Sequence, residues 1–239
     1  MADKKRQDRD RRAKVEEMRR AEQARERRKS MLFIALAVVV GLALIAAAAV
    51  PAYLKSRNDP AKKSLASFGV PASAADCAKV QTTKATNSTE LRNHVEDGTK
   101  ETYKTVPPSY GAHWGAPAFP AREFYTAGDR PEMEQLVHNM EHGYTVVWYD
   151  DTIKGAALDD LTDISASARE KDPVNPGNKF IVSAWDDAYG KLPAGKHVAM
   201  SHWGAQDSHI RLCGAVSGAV VNDFIKAFPA SDSPEGNAQ

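Results

Sequence analysis

His138, Glu141 and His142 have the residue types and the spacing to bind a metal ion. Positions three and four apart on a helix are neighbours, so two imidazoles at i and i+4 chelate one ion with a carboxylate beside them. His113, upstream in a loop, offers a third imidazole. Three histidines with an open position suit Zn²⁺, and imidazole also suits Cu, Ni or Fe; the set points to a divalent transition metal, Zn or Cu foremost. Glu141 would stand behind a ligand or act as a general base. The competing reading is geometric. Glu134, His138, Glu141 and His142 fall on one side of an amphipathic helix and are its polar face, a structural cluster rather than a site.

These residues need a helix and a stiff loop to position them. Met133, Leu136, Val137 and Met140 recur at i, i+3, i+4 and i+7, one apolar helix face, which turns Met140 away from any metal. Asp129 followed by Glu132 reads as a capping box, and Gly143 stands where a helix stops. Tyr144 to Tyr149, aromatic and β-branched, reads as a strand. Tyr103 to Pro120 is a loop rich in Pro, Gly and aromatics, with Gly111 and Gly115 flanking His113. Such a loop either holds one side chain in place or wraps the sheet with Trp114 and Phe119 packed inward.

The first thirty residues carry thirteen Lys/Arg against seven Asp/Glu, a solvated, partly helical arm with little to bury. A net charge of +6 is compatible with nucleic acid, but the next segment supplies a simpler partner. Met31 to Leu54 is a run of twenty-four uncharged residues, and roughly 20 apolar residues span a bilayer. The run exceeds the hydrophobic region of a cleaved signal peptide, so residues 31–54 read as an uncleaved transmembrane helix. The charge asymmetry places the N-terminus in the cytoplasm and the C-terminal bulk outside, with the arm near anionic lipid headgroups.

Residues 55–75 read as a juxtamembrane linker, 76–228 as one extracytoplasmic domain, and 229–239 as a disordered tail. Ala156 to Glu170 and Val216 to Phe228 read as helices, and Phe180 to Trp185 and His197 to Trp203 as strands. Interleaved helices and strands predict a small mixed α/β fold of the α+β class. Cys77 and Cys213, the two cysteines, both lie in the exported part and are expected to pair there. Of the remaining histidines, His94, His197, His202 and His209 have no chelating spacing with the helix pair, and His202 is the first candidate to join it.

With Pro107-Pro108-Ser109-Tyr110-Gly111-Ala112-His113 and His138-Asn139-Met140-Glu141-His142-Gly143 in view, the chain resembles a family of membrane-anchored bacterial proteins, common in actinobacteria, that is grouped as a domain of unknown function. Its pattern is Pro-Pro-x-Ser-Gly-x-His, then His-x-Leu-Glu-His-Gly. Here Tyr110 stands at the Ser position of the pattern and Met140 replaces Leu. The segment from Val198 to Gly204, Cys213, Phe224-Ile225 and the Ser233-Pro234-Glu235-Gly236 tail also match. The resemblance spans roughly Val106 to Gly236 and implies an extracytoplasmic domain on a single-pass anchor, with no activity attached.

Three functions stay open. The first is metal binding by His113, His138 and His142. The second is a non-enzymatic envelope protein that meets a protein or the cell wall, with Trp114, Trp148, Trp185 or Trp203 available for stacking. The third is a peptidase, because His138-x-x-Glu141-His142 fits the inverted zincin motif. That class needs a further glutamate downstream, and the later ones, Glu170 and Glu235, fall in a surface-type helix and in the tail.

Overall fold

A strand covered on both faces reads as an unbroken apolar run, and Thr145–Tyr149 is such a run with every residue buried. The computed structural model describes residues 2–84, 93–171 and 179–238. The chain divides after Asn58 into two compact units. The first is one helix, α1 (Ala2–Asn58), so the basic arm continues helically into the apolar segment. Ala, Arg, Lys and Glu are good helix formers, and acid-first pairs such as Glu16–Arg20, 2.7 Å apart, add a little at an exposed surface. Arg9–Asn58 contains a window long and apolar enough to cross a membrane, and none of that window is buried within the protein.

The second unit is a mixed α+β domain. Its strands are β1 (Gln81–Lys84), β2 (His94–Val95), β3 (His113–Trp114), β4 (Phe124–Tyr125), β5 (Thr145–Tyr149), β6 (Phe180–Ala184), β7 (Val198–Trp203) and β8 (Asp207–Cys213). Six of them form one sheet in the order β1-β8-β7-β5-β6-β4, and β2 and β3 form a separate parallel pair. The helices are α2 (Met133–Glu141), α3 (Ala156–Lys171) and α4 (Gly218–Ala227). Parallel β5 and β6 need a crossover, which α3 supplies, whereas β7 and β8 pair antiparallel through a tight connection.

Alternation along β5 divides the core into two layers. Val147 and Tyr149 face α3 and α4, meeting Leu161, Ile164, Val221, Phe224 and Ile225. Val146 and Trp148 face α2, meeting Met133, Leu136, Val137 and Met140. The apolar stripe read from the sequence is therefore the face by which α2 docks on the sheet. The capping box is formed by Glu132 and Gln135. Asp129 instead accepts from Thr126 and Arg122 at 2.7 Å in the preceding turn.

Three further expectations are corrected. Residues 59–75 form three short 3₁₀ turns, and Ala61, Phe68 and Ala75 are buried, so this stretch belongs to the domain rather than to a free linker. The segment after Phe228 is packed as well: Ala230–Asp232 is a 3₁₀ turn, and Ala230 and Ser233 are buried. Lys179, itself buried, donates to the carbonyls of His142, Gly236 and Ala238, which holds the C-terminal segment against the end of α2. The loop before α2 sends Tyr110 and Ala118 into the core, while Phe119 is exposed and Trp114 is half-buried. Cys77 and Cys213 are disulfide-bonded across a β-bridge beside the end of β8.

Candidate metal centre

The polar side of α2 is not open to solvent. Glu134, His138 and Glu141 are all buried, because the segment from Asn93 to Ala118 lies over them. Glu134 is held entirely by donors: the Glu101 amide at 2.8 Å and the Tyr189 hydroxyl at 2.9 Å. Burial together with the Glu134 charge pushes the Tyr103 and Tyr189 hydroxyls up, so both remain protonated donors. The Tyr103 hydroxyl donates to the Ala112 carbonyl at 3.1 Å, next to His113. Glu134 thus fastens the loop.

His94, His113, His138 and Glu141 each present one ligand atom, and these four atoms lie within 4.8 Å of one another. Two backbone carbonyls fix two of the rings. His113 Nδ1 is 2.7 Å from the Gly111 carbonyl, and His138 Nδ1 is 2.7 Å from the Trp114 carbonyl. A carbonyl only accepts, so each Nδ1 carries the hydrogen, and in a neutral imidazole the lone pair is then at Nε2. His113 Nε2 lies 3.0 Å from Glu141 Oε2, and His138 Nε2 lies 3.1 Å from His142 Nε2. Gly111 makes the first of these bonds available: its φ of +136° is a conformation that side-chain-bearing residues rarely adopt.

Burial, reinforced by the neighbouring imidazoles, lowers the His138 pKa to about 4, so the ring is neutral and free to ligate at physiological pH. His94 enters through the β2–β3 pairing, directly across from His113, and its ring stacks on His138 with centroids 4.9 Å apart. Its side chain is 52% exposed and marks the open side of the group. Three imidazoles and one carboxylate at these separations match what a metal needs, since Zn–N and Zn–O bonds of about 2.0–2.2 Å put ligand atoms roughly 3–4 Å apart.

The structure brings the sequence-predicted residues His113, His138 and Glu141 together, with His142 alongside. Glu141 stands in the same four-residue group as His113 and His138. His142 lies at the C-terminal end of α2, its Nε2 between His138 Nε2 at 3.1 Å and Glu235 Oε2 at 3.5 Å. The histidine that joins the group is His94, not His202. No local spacing signals His94, because a two-residue parallel pairing between distant segments delivers it. Glu235, set aside by composition as part of a tail, reaches the site because its amide donates to the Glu141 carbonyl at 3.0 Å.

His202 is buried on β7 between Thr145 Oγ1 at 3.2 Å and Ser233 Oγ at 3.3 Å, a structural position. Burial lowers its pKa to about 3. The unfolded chain takes up this proton near the ordinary value of about 6.5 and the folded chain does not, so the stabilisation is intact above that pH and declines as pH falls toward 3. We expect a loss of up to ~1.4 kcal/mol per pH unit in this window, read as the urea midpoint of metal-free protein between about pH 7 and pH 4.5. His202→Asn should flatten that slope. An unchanged slope in the variant would show that other groups govern acid stability.

The architecture defines a class: an α+β domain with a His/Glu group at metal-binding distance, in a chain that begins with a helix of membrane-spanning length. The chain belongs to the family described as Protein of unknown function (DUF3105), whose model matches residues 94–239. The match begins at His94 and takes in every residue of the site through Glu235, but leaves out α1, β1 and Cys77. No curated protein and no solved structure matches the chain.

Proposed function

We propose that this is a single-pass membrane protein whose extracytoplasmic domain holds a divalent transition metal on His94, His113, His138 and Glu141. The observation that carries the reading is the pair of carbonyl-fixed imidazoles. Their Nδ1–H groups are committed to Gly111 and Trp114, so a neutral ring presents its Nε2 lone pair, and these two imidazoles stand with His94 and the Glu141 carboxylate in one group whose ligand atoms lie within 4.8 Å of one another. An ion satisfies all of these atoms at once. The donor set is nitrogen and oxygen, and the Met140 thioether is buried in the core beneath α2, which suits Zn²⁺ or Cu²⁺ rather than Cu⁺.

The peptidase reading requires Glu141 to stand off the metal and polarise a water. Its carboxylate lies instead 3.0 Å from His113 Nε2, within the ligand group, which favours the role of ligand. Outward orientation of the domain rests on the thirteen positive charges ahead of the apolar segment and on a disulfide that suits an oxidising compartment. The arm then lies at the cytoplasmic face, close to anionic lipid.

Elemental analysis of the full-length, tag-free protein in detergent tests the metal half. We expect bound metal in the wild type and its loss in His113→Ala and His138→Ala. A chain that takes up no metal would leave the 3.0 Å His113–Glu141 contact as a buried structural one, in an envelope protein with a structural histidine cluster. Protease added to right-side-out vesicles tests the other half: it should digest the domain and spare the arm.

A further inference from the structure

We infer a second metal position beside the first, formed by Glu141, His142 and Glu235, with Glu141 shared between the two; the inference rests on the metal reading of the first group. Each of the three residues offers a ligand atom, and these atoms lie within 4.8 Å of one another. Glu141 belongs to both groups, and a carboxylate has two oxygens, so one residue can serve two ions. His138 Nε2 and His142 Nε2 lie 3.1 Å apart, close enough for each to bind its own ion across a bridging carboxylate. Two-metal sites hold their ions about 3.5–4 Å apart, a spacing that such a bridge spans.

The fold places Glu235 here by specific means. Its amide bonds the Glu141 carbonyl, and the buried Lys179 ammonium joins the His142 carbonyl to those of Gly236 and Ala238. The chain also passes so close at Gly236 that an added Cβ would lie 2.2 Å from the Ala230 carbonyl oxygen. A surface ion pair between His142 and Glu235 would contribute little, since the Glu235 side chain is 42% exposed. A ligand position accounts for the anchoring, and the exposure gives an ion a route in. With two carboxylates and one imidazole, this position is harder than the first and suits Zn²⁺, Mn²⁺ or Fe²⁺.

The test is the zinc stoichiometry of the full-length, tag-free chain in detergent, stripped with a chelator, equilibrated with Zn²⁺ and desalted. The wild type should retain two equivalents, one for each ligand group. Glu235→Gln, and separately His142→Gln, should retain one, with circular dichroism confirming the fold. A single equivalent in the wild type, or two in both variants, would overturn the second position and leave the first standing. No retained zinc at all would overturn the first position as well.

Discussion

Glu141→Gln is expected to weaken zinc binding by at least ~100-fold while leaving the domain folded. The basis for the size is that losing a mere outer partner of a ligand already costs about 10–100-fold. Here the lost group is itself within 3.0 Å of His113 Nε2 and is common to both ligand groups. Glutamine has the same shape, so the packing of α2 on the sheet is preserved, but its amide carries no charge and ligates poorly. Competition against a chromophoric chelator reads the affinity, and thermal unfolding with and without Zn²⁺ gives an independent measure. At a free metal concentration of about 100 times Kd, the wild type gains roughly 2.7 kcal/mol of stability, and the variant should gain almost none. An affinity close to that of the wild type would remove Glu141 from the coordination sphere.

Reducing the Cys77–Cys213 disulfide should cost the domain ~5 kcal/mol in the chain-entropy account, given the sequence separation of 136 residues. That is a large share of the roughly 5–15 kcal/mol by which domains are stable, so reduced protein should unfold at far lower urea. The bridge pins the stretch before β1 to the end of β8, and Cys213 is buried in the layer beneath α4. A Cys77→Ser/Cys213→Ser double variant separates this effect from any action of the reductant on bound metal. If its urea midpoint equalled that of the oxidised wild type, the bridge would contribute nothing to stability.

The parts of the fold that were legible in the sequence are those whose signals are local. The apolar period of α2, the stop at Gly143 and the run of β5 lie within one short stretch, and each is specified by its immediate neighbours. β8 was not legible, because Ser208, Ile210 and Leu212 alternate with His209 and Arg211 in a segment whose polar residues hide its apolar face. The stretch at 59–75 has loop-like Pro, Ser and Ala composition and is indeed irregular, but Phe68 and Ala75 bury it against the helical layer.

The site divides in the same way. His138, Glu141 and His142 follow from helical spacing, and His113 from a stiff loop. His94 and Glu235 do not, since one is delivered by a strand pairing and the other by a lysine clamp on the C-terminal segment. The capping box differs from the expected Asp129–Glu132 pair for a local reason: Asp129 satisfies Thr126 and Arg122 in its own turn and leaves the helix end to Glu132.

X-ray absorption at the zinc edge, on the zinc-loaded full-length chain, reads the coordination directly. A shell of nitrogen and oxygen at about 2.0–2.2 Å is expected, with the outer-shell scattering of histidine rings, diminished in His138→Ala. Sulfur in the first shell, or a spectrum that His138→Ala leaves unchanged, would contradict it.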